Sequence, residues 1–188
     1  ALNMAKKELN LRFQPSGGVR AASLPTGKKQ RLSIERLAND GRGIAFVEGR
    51  TWFVAGALAD EQVEARVLSA RSQVVEARAE RILSASPLRR PEPCAHAKTC
   101  GGCMMQHASE AFVADWKSGI VQGALTGQGL TATFRPILTS PPKSRRRATI
   151  AARRTKTGAL MGFHARASDM LVAVPNCQLL HPDLIATF

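Results

Sequence analysis

The chain has 188 residues, of which 44% are hydrophobic, and a formal net charge of +13. No apolar run approaches the roughly 20 residues that a membrane-spanning helix needs, and the first residues contain no apolar signal core. These features exclude a membrane-spanning protein and argue against a secreted, disulfide-bonded one. We therefore expect a cytoplasmic protein of one large or two small domains.

The positive charge is concentrated in one part of the chain. Residues 29–93 hold eleven Lys and Arg against nine Asp and Glu, whereas residues 116–168 hold ten Lys and Arg and no acidic residue. A globular surface normally mixes both signs. A one-signed block of this length is typical of a protein that binds a polyanion. We expect nucleic acid rather than a membrane, because the block alternates like a strand and not like a basic amphipathic helix.

The first 88 residues predict a leader followed by a small barrel. Residues 1–28 combine glycine, proline and scattered basic residues, which predicts a flexible leader. Residues 29–88 are predicted to form a mainly β domain of OB-like size, with turn signals at 39–43 and 48–50. About five short strands are indicated by alternation of polar and apolar residues, at 30–37, 44–47, 51–54, 63–68 and 74–79.

Residues 89–188 are predicted to form a second, α+β domain, entered through a linker at 87–93. Its first motif is a loop with Cys94, Cys100 and Cys103, and the fourth cysteine, Cys177, follows 73 residues later. Four thiolates suit either Zn²⁺ or an iron–sulfur cluster. A [4Fe-4S] cluster is wider than a single ion, so a loop with three ligands and a distant fourth favours the cluster.

Other interpretations of the cysteines remain open. A zinc site is the main alternative, although all-cysteine zinc sites usually contain two short C-x2-C pairs and this chain has one. His96, His107 and His181 are near enough in sequence to serve zinc, but we assign them no role. Two disulfides need an oxidising compartment, and four unrelated buried cysteines rarely cluster on a Gly-Gly loop. We expect Gly101 and Gly102 to let the backbone approach a bulky group and point amides at sulfide.

A helix and a basic strand are predicted between the cysteine loop and Cys177. Ser109 is placed to cap a helix over about 110–125, in which Phe112, Trp116 and Ile120 form a stripe that we expect to be buried. The glycine-containing residues 126–130 end it. A strand over 145–153 places Ala148, Ile150 and Ala152 inward. The residues predicted to contact RNA are Lys143, Arg145, Arg146, Arg147, Arg153 and Arg154. Two further strands, at 160–164 and 170–174, lead to Cys177.

These motifs, in this order, resemble the bacterial RNA (uracil-C5)-methyltransferases that use S-adenosylmethionine, most closely the branch that modifies 23S ribosomal RNA. Residues 29–85, with the segments 41–45 and 52–58, resemble the TRAM domain, a small RNA-binding β-barrel. The cysteine loop, Gln106, His107 and the remote Cys177 resemble the family's [4Fe-4S] motif. Residues 140–147 and 160–163 resemble the central domain that carries this cluster.

The resemblance implies that RNA and cluster binding belong to this chain and that methyl transfer belongs to another domain of the family's enzymes. It implies ribosomal RNA as the partner and a [4Fe-4S] cluster on Cys94, Cys100, Cys103 and Cys177, and it does not imply a protein partner. In the family, a C-terminal domain binds S-adenosylmethionine and supplies the cysteine nucleophile and the base. If all four cysteines hold the cluster, none remains to attack uracil. We therefore expect a portion of such an enzyme without catalytic residues, inactive by itself. The alternatives are a zinc-stapled nucleic-acid module and, less favoured, a ferredoxin-class electron carrier.

Overall fold

The computed structural model describes residues 24–156 and 158–187. The predicted leader therefore lies outside the described residues, except for positions 24–28. The described part contains two sheets and two helices. Strands are the main regular structure, so the prediction of a mainly β protein is confirmed.

Residues 29–84 form a six-stranded sheet that closes on itself. The strands are β1 (Lys29–Ser33), β2 (Arg36–Leu37), β3 (Gly43–Val47), β4 (Arg50–Ala55), β5 (Gln62–Ala70) and β6 (Val74–Ser84). Their order is β1-β5-β6-β4-β3-β2, and all neighbours are antiparallel except β4 and β6. Because only Ile34 and Glu35 separate β1 from β2, one bent segment forms both edges of the sheet. This bend turns the open sheet into a barrel.

The barrel interior follows the alternation of the sequence. Along β4, Trp52 and Val54 point inward and are at most 2% exposed, while Thr51 and Phe53 face outward and are half-buried. In β5 the side chains that point inward are fully buried, namely Val63, Ala65 and Val67. Burial of these apolar side chains is the main force that closes the barrel. The predicted strands are confirmed here, with 30–37 divided into two.

Two tight turns depend on residues with positive φ. Gly41 (φ +81°) lies in the turn before β3, and Glu48 (φ 51°) with Gly49 (φ +72°) connects β3 to β4. A two-residue hairpin loop with both φ values positive matches the twist of the strands it joins. Both turns lie where the sequence signals predicted them.

The second part of the chain contains less regular secondary structure than the barrel. It contains α1 (Glu110–Thr126), a three-stranded antiparallel sheet and α2 (Pro182–Ile185). The strands are β7 (Ala151–Thr155), β8 (Gly158–His164) and β9 (Leu171–Ala173), in the order β7-β8-β9. Its core centres on Cys100, Val174, Cys177 and Leu180. The helix prediction is confirmed, since the Ser109 side chain accepts a hydrogen bond from the Phe112 amide.

Two expectations for this part were wrong. The stripe of Phe112, Trp116 and Ile120 is only half-buried, because no other helix or strand of the described residues covers that face of α1. The strand predicted from 145 begins at Ala151. Ala148 and Ile150 do pack against the second core, but Ala152 is exposed because the alternation shifts by one residue where regular pairing begins.

Within the described residues, neither helix has the length and apolar character needed to span a membrane.

Candidate metal centre and nucleic-acid surface

Two separate segments bring the four cysteines together. Cys100 and Cys177 are buried in one small core, and Cys94 and Cys103 are half-buried beside it. All four thiols are free. Charge on each of the other three cysteines would raise the pKa of Cys103, so the four side chains lie within electrostatic range of one another.

Backbone contacts fix the cysteine loop against the second sheet. Cys100 forms an isolated bridge with Ala165, and the amide of Gly101 donates to the carbonyl of His164 at 2.9 Å. Cys177 follows β9 in a turn in which its own amide donates to the carbonyl of Val174 at 3.2 Å. The loop and the Cys177 turn are therefore positioned by the same sheet, one at the end of β8 and the other after β9.

Backbone amides also point at the sulfur atoms. The amide of Gly102 lies 3.3 Å from the Sγ of Cys100, and the amide of Leu179 lies 3.4 Å from the Sγ of Cys177. Such N–H···S contacts stabilise thiolates and are one of the ways in which a protein tunes a metal–sulfur centre. The amide of Gly101 is used by the carbonyl of His164 and does not point at sulfur, while an amide of Gly102 directed at cluster sulfide stays a prediction.

Burial keeps the thiol of Cys103 protonated in the absence of a ligand. Removal from water raises its pKa, and the neighbouring cysteines raise it further, against the lowering effect of a hydrogen bond with Gln106. A thiolate-binding metal must displace this proton, so metal affinity depends on pH. The donor set is all-sulfur, which suits zinc or an iron–sulfur cluster.

Within the described residues, no group of three or more His, Cys, Asp or Glu side chains is arranged tightly enough to hold a metal ion directly. Several buried polar atoms near the loop lack hydrogen-bond partners, namely His96 Nε2, Gln106 Oε1, His107 Nε2 and Arg166 Nε. Unpaired buried polar atoms are costly, so their concentration here marks a place where a further group would fit.

A buried ion pair joins the barrel to this loop. The Glu61 carboxylate is fully buried and accepts hydrogen bonds from the amides of Leu58 (2.8 Å) and Ser86 (3.2 Å) and from the guanidinium of Arg89. Arg89 also donates to the carbonyl of Gly56 at 2.7 Å. Burial by itself raises the pKa of Glu61, but these donors together more than offset it and hold the pKa below its ordinary value.

The predicted linker at 87–93 is therefore a packed connection. The amide of Ser109 donates to Leu88 and that of Arg90 donates to His107, at 2.9 and 3.0 Å. His107 itself is 3% exposed, and burial, followed by the charge of Arg89, lowers its pKa. A side chain at Gly41 would meet Met105 at 2.7 Å, so the barrel also touches the cysteine loop directly.

Two of the basic residues predicted to contact RNA, Lys143 and Arg145, lie next to the Cys177 turn. The amides of Lys143 and Arg145 donate to Gln178 and Leu179 at 2.9 and 3.1 Å, and the amide of His181 donates to Arg145 at 2.9 Å. All six predicted side chains are exposed, namely Lys143, Arg145, Arg146, Arg147, Arg153 and Arg154. Backbone hydrogen bonds thus connect the start of the basic segment 143–154 to the residues that follow Cys177.

Sequence reasoning missed three residues of this region: Glu61, Arg89 and Arg166. Each is a charged side chain that becomes buried or half-buried only because distant segments pack over it. In the sequence they resemble ordinary surface residues, since nothing local distinguishes Glu61 from Glu64. For Arg166 the sequence offers one weak signal: because residues 116–168 contain no acidic residue, the segment before it offers no salt-bridge partner.

Comparison with known proteins agrees with this fold. The family model for the TRAM domain matches residues 25–79, which contain β1 to β5 and the first half of β6. The match confirms the predicted resemblance of residues 29–85 to the TRAM domain. The matched residues form most of the closed, mainly β barrel.

The comparison extends beyond the TRAM domain. The chain is 53% identical over 186 residues to the 23S rRNA (uracil(1939)-C(5))-methyltransferase RlmD of Pseudomonas fluorescens strain Pf-5, covering 94% of this chain and 40% of that protein. The proteins of the same name from Pseudomonas putida and Pseudomonas aeruginosa strain PAO1 are 50% and 48% identical, with 94% and 96% of this chain covered. The chain spans about 40% of the length of these relatives. The resemblance to the 23S branch is confirmed.

Proposed function

We propose that this chain is the RNA-binding, iron–sulfur-carrying portion of a 23S rRNA (uracil-C5)-methyltransferase and that it acts in the cytoplasm. The observation that carries the proposal is the convergence of Cys94, Cys100, Cys103 and Cys177 beside an exposed basic run. The level of identity to three enzymes named for this reaction supports the same conclusion.

RNA is the partner that the charge distribution favours. Six basic side chains without an acidic neighbour in sequence are exposed on the 143–154 segment. Arginine matches phosphate oxygens with two parallel hydrogen bonds, so such a run provides sequence-independent affinity for an RNA backbone. The barrel that resembles the TRAM domain would add a second RNA-binding surface. The Glu61–Arg89 pair fixes this barrel to the 87–93 segment that leads into the cysteine loop.

The four cysteines are proposed as the ligands of a [4Fe-4S] cluster. The all-sulfur donor set and the amides of Gly102 and Leu179 near sulfur support a metal–thiolate centre. The single C-x2-C pair with a distant fourth cysteine favours the cluster over a single zinc ion. Such a cluster would supply covalent crosslinks between the 94–103 loop and the Cys177 turn. Its role here is structural, because it would fix the basic run relative to the barrel.

Methyl transfer is assigned to residues other than those described. With all four cysteines committed to metal binding, the described residues offer no thiol to attack uracil. In this proposal S-adenosylmethionine is bound by another domain of the enzyme, and this chain positions the RNA. We expect RNA binding without methyl transfer from this chain by itself.

Anaerobic purification followed by iron, sulfide and zinc analysis of the same sample tests the metal assignment. We expect about four irons and four sulfides per chain and a brown charge-transfer absorption. A Cys177→Ser variant should lose most of the iron. One zinc per chain without iron would instead support a zinc-stapled nucleic-acid module. A reversible redox couple without RNA affinity would support an electron carrier.

A further inference from the structure

Arg166 lies directly along the cysteine loop. It follows Ala165, which bridges to Cys100, and its Nη2 atom donates a hydrogen bond to the carbonyl of Cys103. Its side chain is half-buried. Arg166 therefore lies beside two proposed ligand residues: its guanidinium binds the backbone of Cys103, and the preceding residue, Ala165, pairs with Cys100.

The guanidinium is only partly satisfied. Its Nε atom is buried and has no hydrogen-bond partner, and its one hydrogen bond within the described residues goes to a neutral carbonyl. No carboxylate of the described residues forms a salt bridge with it. Arginine stays protonated in proteins, and removing part of a cation from water without a counterion is unfavourable. A negative charge beside the Arg166 guanidinium would therefore stabilise it.

The charges around Arg166 indicate where that negative charge would arise. Arg166 donates to the carbonyl of Cys103 and directly follows Ala165, the bridge partner of Cys100, so it lies beside two of the four proposed ligands. As thiols these cysteines are neutral. A metal that binds thiolates would create negative charge on the cysteines of the loop that Arg166 contacts.

We propose that Arg166 is a positioning residue for the cluster: it holds the Cys103 backbone, offers its free Nε–H to sulfur, and offsets the negative charge of the four thiolates. This inference rests on the proposed function, because it requires the cluster. An iron–sulfur centre with four thiolates carries net negative charge, and its potential depends on nearby charge and on hydrogen bonds to sulfur. Loss of Arg166 should therefore loosen the cluster and make it harder to reduce.

The test compares Arg166→Gln and Arg166→Lys with the wild-type chain, all reconstituted anaerobically. Arg135→Gln, the same substitution at a surface-exposed arginine in the same half of the chain, is the matched control. Cluster loss is followed by the decay of the visible absorption in excess chelator, and the reduction potential is measured by voltammetry. Far-UV circular dichroism checks that each apoprotein is folded.

We expect Arg166→Gln to lose iron about ten to a hundred times faster than the wild type and to have a more negative reduction potential. Arg166→Lys keeps the charge, so its potential should stay close to that of the wild type. Arg135→Gln should match the wild type in both measurements.

Three results would overturn the inference. If wild-type protein binds no iron, the proposed function and this inference fail together. If the wild type holds the cluster and Arg166→Gln retains it equally well at an unchanged potential, the inference alone fails. If Arg166→Lys shifts the potential as much as Arg166→Gln, packing rather than charge is responsible, and the electrostatic role is refuted.

Discussion

Replacement of Glu61 by Gln tests whether the buried ion pair holds the barrel to the cysteine loop. The substitution keeps the size of the side chain but removes the charge that four donors share, and it turns an amide group toward some of them. Breaking a buried pair commonly costs about 3–5 kcal/mol. Because Arg89 is 19% exposed and can regain some water, we expect the lower end, about 3 kcal/mol.

The assay is urea unfolding followed by tryptophan fluorescence. The chain contains two tryptophans, so a Trp116→Phe background leaves Trp52, 2% exposed in the barrel core, as the reporter. With a slope of about 1.5 kcal/mol per molar urea, the midpoint should fall by about 2 M. Glu110→Gln breaks a surface pair with Arg90 whose carboxylate is 68% exposed and should change the midpoint little. Equal effects of the two substitutions would refute a special role for Glu61.

The depressed pKa of Glu61 predicts that its stabilising contribution is present above the ordinary pKa of 4.5 and is lost as the pH falls through the lower folded-state value. The difference in urea midpoint between wild type and Glu61→Gln should therefore shrink at acid pH, and a constant difference would contradict this assignment. Joint replacement of Arg145, Arg147 and Arg153 by Ala should weaken RNA binding and reduce the salt slope by about 2. The exposed set Lys98, Lys117 and Arg135, changed to Ala, is the control for net charge, and equal losses from both sets would discount the basic run. Gly101→Ala should reduce iron retention, because its Cβ would lie 2.8 Å from the carbonyl of His164, whereas Gly102→Ala makes only ordinary contacts of 3.5 Å or more. Similar iron content in the two glycine variants would show that the loop can shift.

Local patterns were sufficient for most of the barrel and for the start of the helix. Strand alternation and positive-φ turns are properties of a few neighbouring residues, so they can be read without knowing the fold. The same is true of the Ser109 cap. Local patterns failed at the basic segment, where the predicted strand begins six residues late because pairing with β8 starts only at Ala151.

Long-range contacts decided the remaining features. The apolar stripe of α1 predicted burial, but hydrophobic spacing shows which face is apolar and not what covers it. The 87–93 segment resembled a linker because its prolines and charges are typical of one. Its packing depends on Glu61, a residue about thirty positions earlier that the sequence did not connect with it.

The sequence by itself determined the chemistry available to this protein: four thiols in a recognisable spacing, an uncompensated basic block and an alternating barrel. These are matters of residue type and short-range order. Only the tertiary structure decided which groups meet, bringing Cys177 to the 94–103 loop, Glu61 to Arg89 and Arg166 to Cys103. Such pairs are separated by tens of residues, and their contact depends on how two sheets pack. Burial then changes the electrostatics of each charged side chain in a way that no local pattern reveals.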